Sequence, residues 1–289
     1  MKILITGITG QVGSYIRRTS VEHELILSDR RMCDFTSNDS IKKFIDYHCP
    51  DLIINPAAYT NVELADTEID LAYKINAEAV LTIAKKANEH NIPVIHFSTD
   101  YVFDGKKESY DEKDTPNPLN IYGKSKLKGE ENLANNCNKY AILRTSWIYS
   151  EIGKNFLLTI YNLAKNSKKI KIVNDQFGTP TSAWFIAQHI NHLINHNIHL
   201  QNDIYHLVPD GSCSWYDFSI SFLSQLLPEI DLSLINPVST DHYQTKVLRP
   251  KKTILNNDKV KKCFNINFHN WEDEFLKYKE YLDINKIKL

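Results

Sequence analysis

The chain carries no strong charge of either sign. Its 34 Lys and Arg against 35 Asp and Glu leave a formal net charge of -1 over 289 residues, so there is no basic field to hold nucleic acid or an anionic membrane. Long apolar runs are missing too. Nothing approaches the roughly 20 residues needed to cross a bilayer, and the apolar start Ile3-Leu4-Ile5 is cut short at Gly7, too soon for a signal segment. A cytoplasmic protein with neither a nucleic-acid nor a membrane partner is expected. The five cysteines are scattered and contain no Cys-x-x-Cys pair, which excludes a disulfide framework and a zinc ribbon and leaves reduced structural thiols. His192 and His196 are four apart in an asparagine-rich helix end with no third ligand nearby, so they are expected on the surface and no metal site is assigned. Repeats and low-complexity segments are absent.

What is present is a strand-helix alternation through the first half. At 289 residues and 42% hydrophobic composition, the chain can build one large α/β domain or a main domain with a smaller lobe. Lys2-Ile3-Leu4-Ile5 reads as a strand, followed by Thr6-Gly7-Ile8-Thr9-Gly10-Gln11-Val12-Gly13 and a helix through Arg18. Glycines at 7, 10 and 13 suit a turn that lets backbone approach a pyrophosphate while the helix N-terminus faces the phosphates. A second strand, Glu24 to Ser28, ends in Asp29-Arg30-Arg31. An acid at that distance binds the adenosine ribose hydroxyls and favours NAD, whereas adjacent arginines accept a 2′-phosphate and favour NADP, so both remain open. Asp51 to Asn55 is the next strand, with Pro56-Ala57-Ala58-Tyr59 at its end, and Leu71 to Glu89 has the spacing of a long helix that encloses the polar Asn76. That side chain either faces solvent or anchors active-site backbone.

Val94 to Phe97 is a fourth strand, and Ser98-Thr99-Asp100 emerges at its carboxyl end, where ligands bind in a doubly wound sheet. A hydroxyl there can bond a substrate carbonyl or simply cap a turn. After a charged loop from Lys106 to Pro118, the stretch Pro118-Leu119-Asn120-Ile121-Tyr122-Gly123-Lys124-Ser125-Lys126 places Tyr122 and Lys126 one helical turn apart on one face. A phenol is a poor acid at neutral pH, and a neighbouring ammonium favours its phenolate and lowers its pKa. The pair suits proton donation to a carbonyl oxygen. Tyr140 to Arg144 is a further strand, leading into Thr145-Ser146-Trp147.

These motifs, together with Gly153-Lys154-Asn155-Phe156, Asp175-Gln176-Phe177-Gly178-Thr179-Pro180-Thr181, Ser214-Trp215-Tyr216-Asp217-Phe218 and Arg249-Pro250 in order along nearly the whole chain, resemble those of the extended short-chain dehydrogenase/reductases, and among them the reductases of nucleotide-linked keto sugars. The resemblance implies an α/β fold with a Rossmann-type doubly wound parallel sheet and a smaller C-terminal substrate-binding lobe: an NAD(P)-binding domain over residues 1–147, and a lobe over 148–289 with some segments returning to the first domain. It implies reduction of the 4-keto group of dTDP-4-dehydro-L-rhamnose with NADPH or NADH, Tyr122 giving the proton, Lys126 lowering its pKa and holding the nicotinamide ribose, and Thr99 tuning the donor while touching substrate. Asp100 and Trp147 would contact the nucleotide sugar. On the cofactor side it assigns Gly10, Gln11 and Val12 to the pyrophosphate turn framed by Gly7 and Gly13. Asp29 goes to the adenosine ribose, with Arg30 beside it, Asp34 and Phe35 to the adenine, and Ala57, Ala58 and Tyr59 to the nicotinamide side. Pro56 stands where such proteins usually carry alanine. A homodimer, with Mg2+ at its interface, is implied only by the resemblance. The rivals are a reductase of another nucleotide-linked 4-keto-6-deoxy sugar and a non-catalytic regulatory subunit of the methionine adenosyltransferase type; the intact Thr99, Tyr122 and Lys126 favour an enzyme.

The second half is less legible. Asn155 to Ala164 and Trp184 to Ile194 have helical spacing, Ile170 to Val173 reads as a strand, and Trp271, Phe275 and Tyr278 fall on one helix face near the end. Arg249 precedes a proline and so sits on extended backbone, where its guanidinium grips a diphosphate in bidentate fashion or forms a surface ion pair.

Overall fold

The computed structural model describes residues 1–20, 22–166, 169–195, 202–243 and 245–288; His196 lies outside them. The first half runs β1 (Lys2–Ile5), α1 (Gln11–Thr19), β2 (Glu24–Leu27), α2 (Asn38–His48), β3 (Leu52–Asn55), α3 (Val62–Ala65), α4 (Ile69–Tyr73), a π-helical turn (Lys74–Glu78), α5 (Ala79–Glu89), β4 (Val94–Thr99), a 3-10 turn (Asp100–Val102), α6 (Ile121–Asn136) and β5 (Tyr140–Thr145). The second half continues with β6 (Ile148–Tyr149), α7 (Phe156–Lys165), β7 (Ile170–Val173), β8 (Phe177–Gly178), β9 (Thr181–Ser182), α8 (Ala183–Asn195), β10 (Asp203–His206), β11 (Cys213–Ser214), α9 (Trp215–Leu226), β12 (Ile235–Val238), α10 (Asp258–Phe264) and α11 (Trp271–Ile284).

Six strands form one sheet in the order β10-β5-β4-β3-β1-β2, with every neighbouring pair parallel. Its strands are buried on both faces because successive residues point to opposite sides. Ile3 and Ile5 pack with Val12, Tyr15 and Ile16 of α1 and with α8. Leu4, Ile53 and Ile142 pack on the other side with Ile41 and Ile45 of α2, Ile83 of α5 and Leu133 of α6. The strand order reverses at β1, whose neighbours are β2 and β3, and this switch point opens a crevice at the strands' carboxyl ends. β10 comes from the second half yet completes the sheet's far edge, and α8 leans on α1.

The long helix of the sequence reading is interrupted. Residues 74–78 widen into a π turn, a local irregularity frequent at functional sites. It buries Asn76, which donates through Nδ2 to Tyr59 O at 3.0 Å and Ser125 Oγ at 3.0 Å and accepts from Tyr59 N–H at 2.8 Å. The anchoring role, rather than solvent exposure, is the one found. The remaining strands pair in twos, β8 with β11, β7 with β12 and β6 with β9. All five cysteines are free, and Trp271, Phe275 and Tyr278 are buried along one face of α11. No described helix is long and apolar enough to cross a membrane.

Candidate active site

The glycine turn is shaped by close approach. Gly7 has φ +57°, and a Cβ at Gly13 would lie 2.4 Å from the Gly7 carbonyl oxygen, so neither position accepts a side chain without moving the turn. Gly10 caps α1 without a side-chain hydrogen bond, and the first turn carries no acid. Its amides and helix dipole are therefore free of a competing anion. Above them a cleft of about 550 Å³ runs along the switch point.

Gly7, Gly10, Gln11, Val12, Gly13, Asp29, Arg30, Asp34, Phe35, Ala57, Ala58 and Tyr59 all line this cleft, as does Pro56. An elongated crevice with a phosphate turn in its middle, an acid and an arginine at one end and small residues at the other fits a nicotinamide dinucleotide. Asp29 is already occupied by its neighbour: its Oδ2 accepts from Arg31 Nη2 at 2.8 Å and Nε at 3.2 Å, and these bonds hold its carboxyl below the usual range. Arg31 is otherwise exposed, whereas Arg30 lines the cleft. From the second half, Ile148, Gly153 and Lys154 close the opposite wall. Gln11 Oε1 holds that wall by accepting from Ser150 Oγ at 2.8 Å and Asn155 Nδ2 at 3.0 Å.

Tyr122 and Lys126 stand on α6, beside the end of β4. Asn120 caps this helix by accepting the Gly123 N–H at 2.9 Å. Two glycines seat it: a Cβ at Gly123 would meet Tyr101 O at 2.2 Å, and one at Gly129 would meet Asn76 O at 2.1 Å. Tyr122 sits edge-on to Tyr101 with ring centroids 5.8 Å apart. Lys126 is buried and donates from Nζ to Phe97 O at 2.6 Å.

The expected depression of the Tyr122 phenol is not what the protein alone produces. Burial dominates and pushes Tyr122 well above its ordinary value, and hydrogen bonding with Thr99 is what draws it back. Burial in turn pulls the Lys126 ammonium down to about 8, opposed by the charge of Glu130. A low dielectric penalises both charged forms at once, and burial, not the other member of the pair, sets the direction of each.

Thr99 ends β4 and bonds Asp100 Oδ1 at 3.1 Å, while Asp100 Oδ2 accepts from Thr253 Oγ1 at 2.5 Å. Asp100 is buried, which raises its carboxyl to about 6 despite these bonds, so its carboxylate serves as an internal tie between β4 and residue 253. Ser98 Oγ is buried without a partner. Trp147, at φ +47°, lays its indole against Gly178 and stacks on Trp215 with centroids 3.5 Å apart and planes 6° from parallel. Trp215, Phe156, Ile160, Gln176, Tyr243 and Arg249 line a second pocket of about 200 Å³. Arg249 does form an ion pair, with Glu63 at 2.6 Å, but its Nε is buried without a partner and the residue stays on the pocket wall.

Three arrangements escape sequence reasoning. Glu130 and Arg144 form a buried bidentate pair at 2.9 and 2.6 Å; the spacing of Glu130, one turn after Lys126, was its available signal. Glu151 accepts from Tyr15 at 2.5 Å, Arg18 at 2.7 Å and Tyr278 at 3.0 Å, joining α1 to α11 across distances in sequence that leave no local pattern. Trp215 is named in a motif, but nothing in that motif announces its stack on Trp147. Among the described residues no group of three or more His, Cys, Asp or Glu is gathered to hold a metal.

Known proteins match along the length of this chain. The family model described as RmlD substrate binding domain matches residues 1–283. A dTDP-4-dehydrorhamnose reductase of Salmonella typhimurium is 38% identical over 283 residues, covering 94% of this chain and 95% of that one. The structure is similar to the crystal structure of dTDP-4-dehydrorhamnose reductase from Bacillus anthracis in complex with NADP, with a TM-score of 0.91, 33% identity, and 97% of this chain and 99% of that chain covered. An ortholog from Clostridium acetobutylicum gives the same TM-score at 35% identity, with 98% and 100% covered.

Proposed function

The chain belongs to the dTDP-4-dehydrorhamnose reductase family, and from that membership we propose that it is an NADPH- or NADH-dependent oxidoreductase that reduces the 4-keto group of dTDP-4-dehydro-L-rhamnose to dTDP-L-rhamnose. One observation carries the reading: Tyr122, in the first turn of α6, and Thr99, at the carboxyl end of β4, are near enough for the Thr99 hydroxyl to favour the Tyr122 phenolate, on the sheet whose switch point opens the dinucleotide-shaped cleft. When bound, the reduced nicotinamide supplies the hydride that C4 receives.

The chain's own part is binding, orientation and the proton. Residues 1–147 hold the coenzyme: the first turn of α1 faces the pyrophosphate, Asp29, Arg30, Asp34 and Phe35 the adenosine, and Ala57 to Tyr59 the nicotinamide side. Asn76 fixes the last of these through the Tyr59 backbone. Residues 148–289 form most of the sugar-nucleotide lobe, where the Trp147–Trp215 stack and Phe156 offer flat apolar faces to a base and Arg249 offers its guanidinium to the diphosphate. Thr99 and Tyr122 bond the ketone oxygen. As C4 is reduced, the Tyr122 O–H bond breaks and its proton passes to that oxygen. The Lys126 ammonium steadies the phenolate left behind.

The ammonium form of Lys126 is the active one. Burial places its loss near pH 8, so kcat is full below that pH and declines as pH rises through it. A kcat profile flat across that region contradicts the assignment. For the substrate, NADPH and NADH oxidation are measured with dTDP-4-dehydro-L-rhamnose beside UDP- and GDP-linked keto sugars. Turnover confined to another nucleotide overturns the rhamnose reading. A cytoplasmic location, alongside the soluble sugar nucleotides, belongs to the same proposal. The resemblance adds a homodimer, tested by sedimentation with and without Mg2+.

A further inference from the structure

Lys126 is an ammonium with almost no water. It is 3% exposed, and a buried cation is costly without a compensating charge. Most titratable groups on the elements packed against α6 are engaged elsewhere. On β4, His96 bonds Asn55 Nδ2 through Nδ1 at 3.1 Å, and burial, reinforced by the charge of Lys126, keeps its imidazole neutral. Asp100 of the 3-10 turn is tied to Thr99 and Thr253, and Tyr101 is held in its neutral phenol form by burial. Glu63 of α3 pairs with Arg249, and Asp66 accepts the Ile121 N–H. Lys74 and Glu78 of the π turn pair with each other, and Lys86 of α5 pairs with Asp46 and Glu89. On α6 itself Lys128 pairs with Glu131, while Glu130, four residues along from Lys126 and 2% exposed, is the charge that acts on the lysine.

Its carboxylate is shared with Arg144 on β5, which is 1% exposed, donates to it twice and lies 5.0 Å from the face of Phe103. Arg144 Nη1 and His206 Nε2 are both buried without a partner. Such a pair is weak evidence of stabilisation, since apolar residues of similar volume commonly do as well. Its place beside the lysine gives it another use. We infer that the Glu130–Arg144 pair is a positioning device for the charge of Lys126: Glu130 supplies the buried negative field that keeps the lysine an ammonium, and Arg144 limits that field. The inference rests on the reading of Tyr122 and Lys126 as the acid pair.

The test follows the Lys126 Nζ by 15N NMR titration in the protein without coenzyme or substrate, the resonance being assigned by its loss in Lys126→Met. Glu130→Gln removes the negative charge and leaves Arg144, so the midpoint falls by about one pH unit or more. Arg144→Met breaks the same ion pair yet frees the carboxylate, so the midpoint rises. The alkaline limb of the kcat profile moves in the same two directions. A merely structural pair lowers Tm in both variants and leaves the midpoints together. If Glu130→Gln does not fold, Glu130→Gln/Arg144→Met leaves neither member of the pair charged, and its midpoint lies below that of Arg144→Met. Midpoints that stay put, or move the same way in both single variants, overturn the inference. The titration needs no substrate, so failure of the catalytic reading is seen separately, as turnover retained by Tyr122→Phe.

Discussion

The glycine-turn cleft, apart from Ile148, Gly153 and Lys154, and the aromatic pocket around Trp215 lie on opposite sides of Tyr122 in sequence and are built on different principles. The cleft is made largely of backbone and small residues that follow the carboxyl ends of β1, β2 and β3. Its shape comes from contacts such as that of Gly13 on the Gly7 carbonyl. The pocket is made of large side chains from α7, β7, α9 and the stretch before Pro250, brought together only by packing. One region is a local motif repeated at strand ends; the other exists only once the chain has folded. Substitutions should therefore fail differently in the two.

The largest effect is expected in the cleft. Gly13→Ala forces a methyl against the Gly7 carbonyl, where overpacking costs about 1–3 kcal/mol. NADPH affinity measured by fluorescence titration should fall roughly ten- to a hundredfold, with the sugar-nucleotide Kd nearly unchanged. Equal weakening of both ligands would erase the distinction between the regions. Trp215→Ala is the counterpart in the pocket. Aromatic stacking on a base is worth about 1–3 kcal/mol, so KM for the sugar nucleotide should rise while the NADPH Kd stays. An unchanged KM would remove the base from this pocket. The smallest effect is expected at Arg31→Ala, since water screens so exposed an ion pair. Releasing the Asp29 carboxylate should weaken NADPH more than NADH, by less than about tenfold, read as the ratio of the two Kd values. A larger loss of NADH than of NADPH would contradict the arrangement of Asp29 and Arg31.

The same contrast explains what could be read in advance. Gly7, Gly10, Gly13 and the strand-end residues Asp29 and Ala57 are legible because the fold puts ligand contacts at fixed offsets from strands. Tyr122 and Lys126 are legible as a helical pair, and Asn76 as a polar residue inside a helix. The π turn that aims Asn76 was not, because an added residue in a helix leaves no periodicity of its own. The β4–β5 register, which sets Ser98 beside Arg144, and the ties from Asp100 to Thr253 and Gln11 to Asn155 join residues more than a hundred positions apart or on adjacent strands, where no spacing rule reaches. The effect of burial on Tyr122 was missed for the same reason. Spacing shows which charges are neighbours, but not how much water is left between them.

Whether Tyr122 protonates the ketone of the sugar nucleotide is read from coenzyme oxidation with dTDP-4-dehydro-L-rhamnose by the wild type and by Tyr122→Phe. A loss in kcat of about a hundred- to ten-thousandfold, with the NADPH Kd essentially unchanged, is the predicted result; turnover by the Phe variant equal to that of the wild type would contradict it.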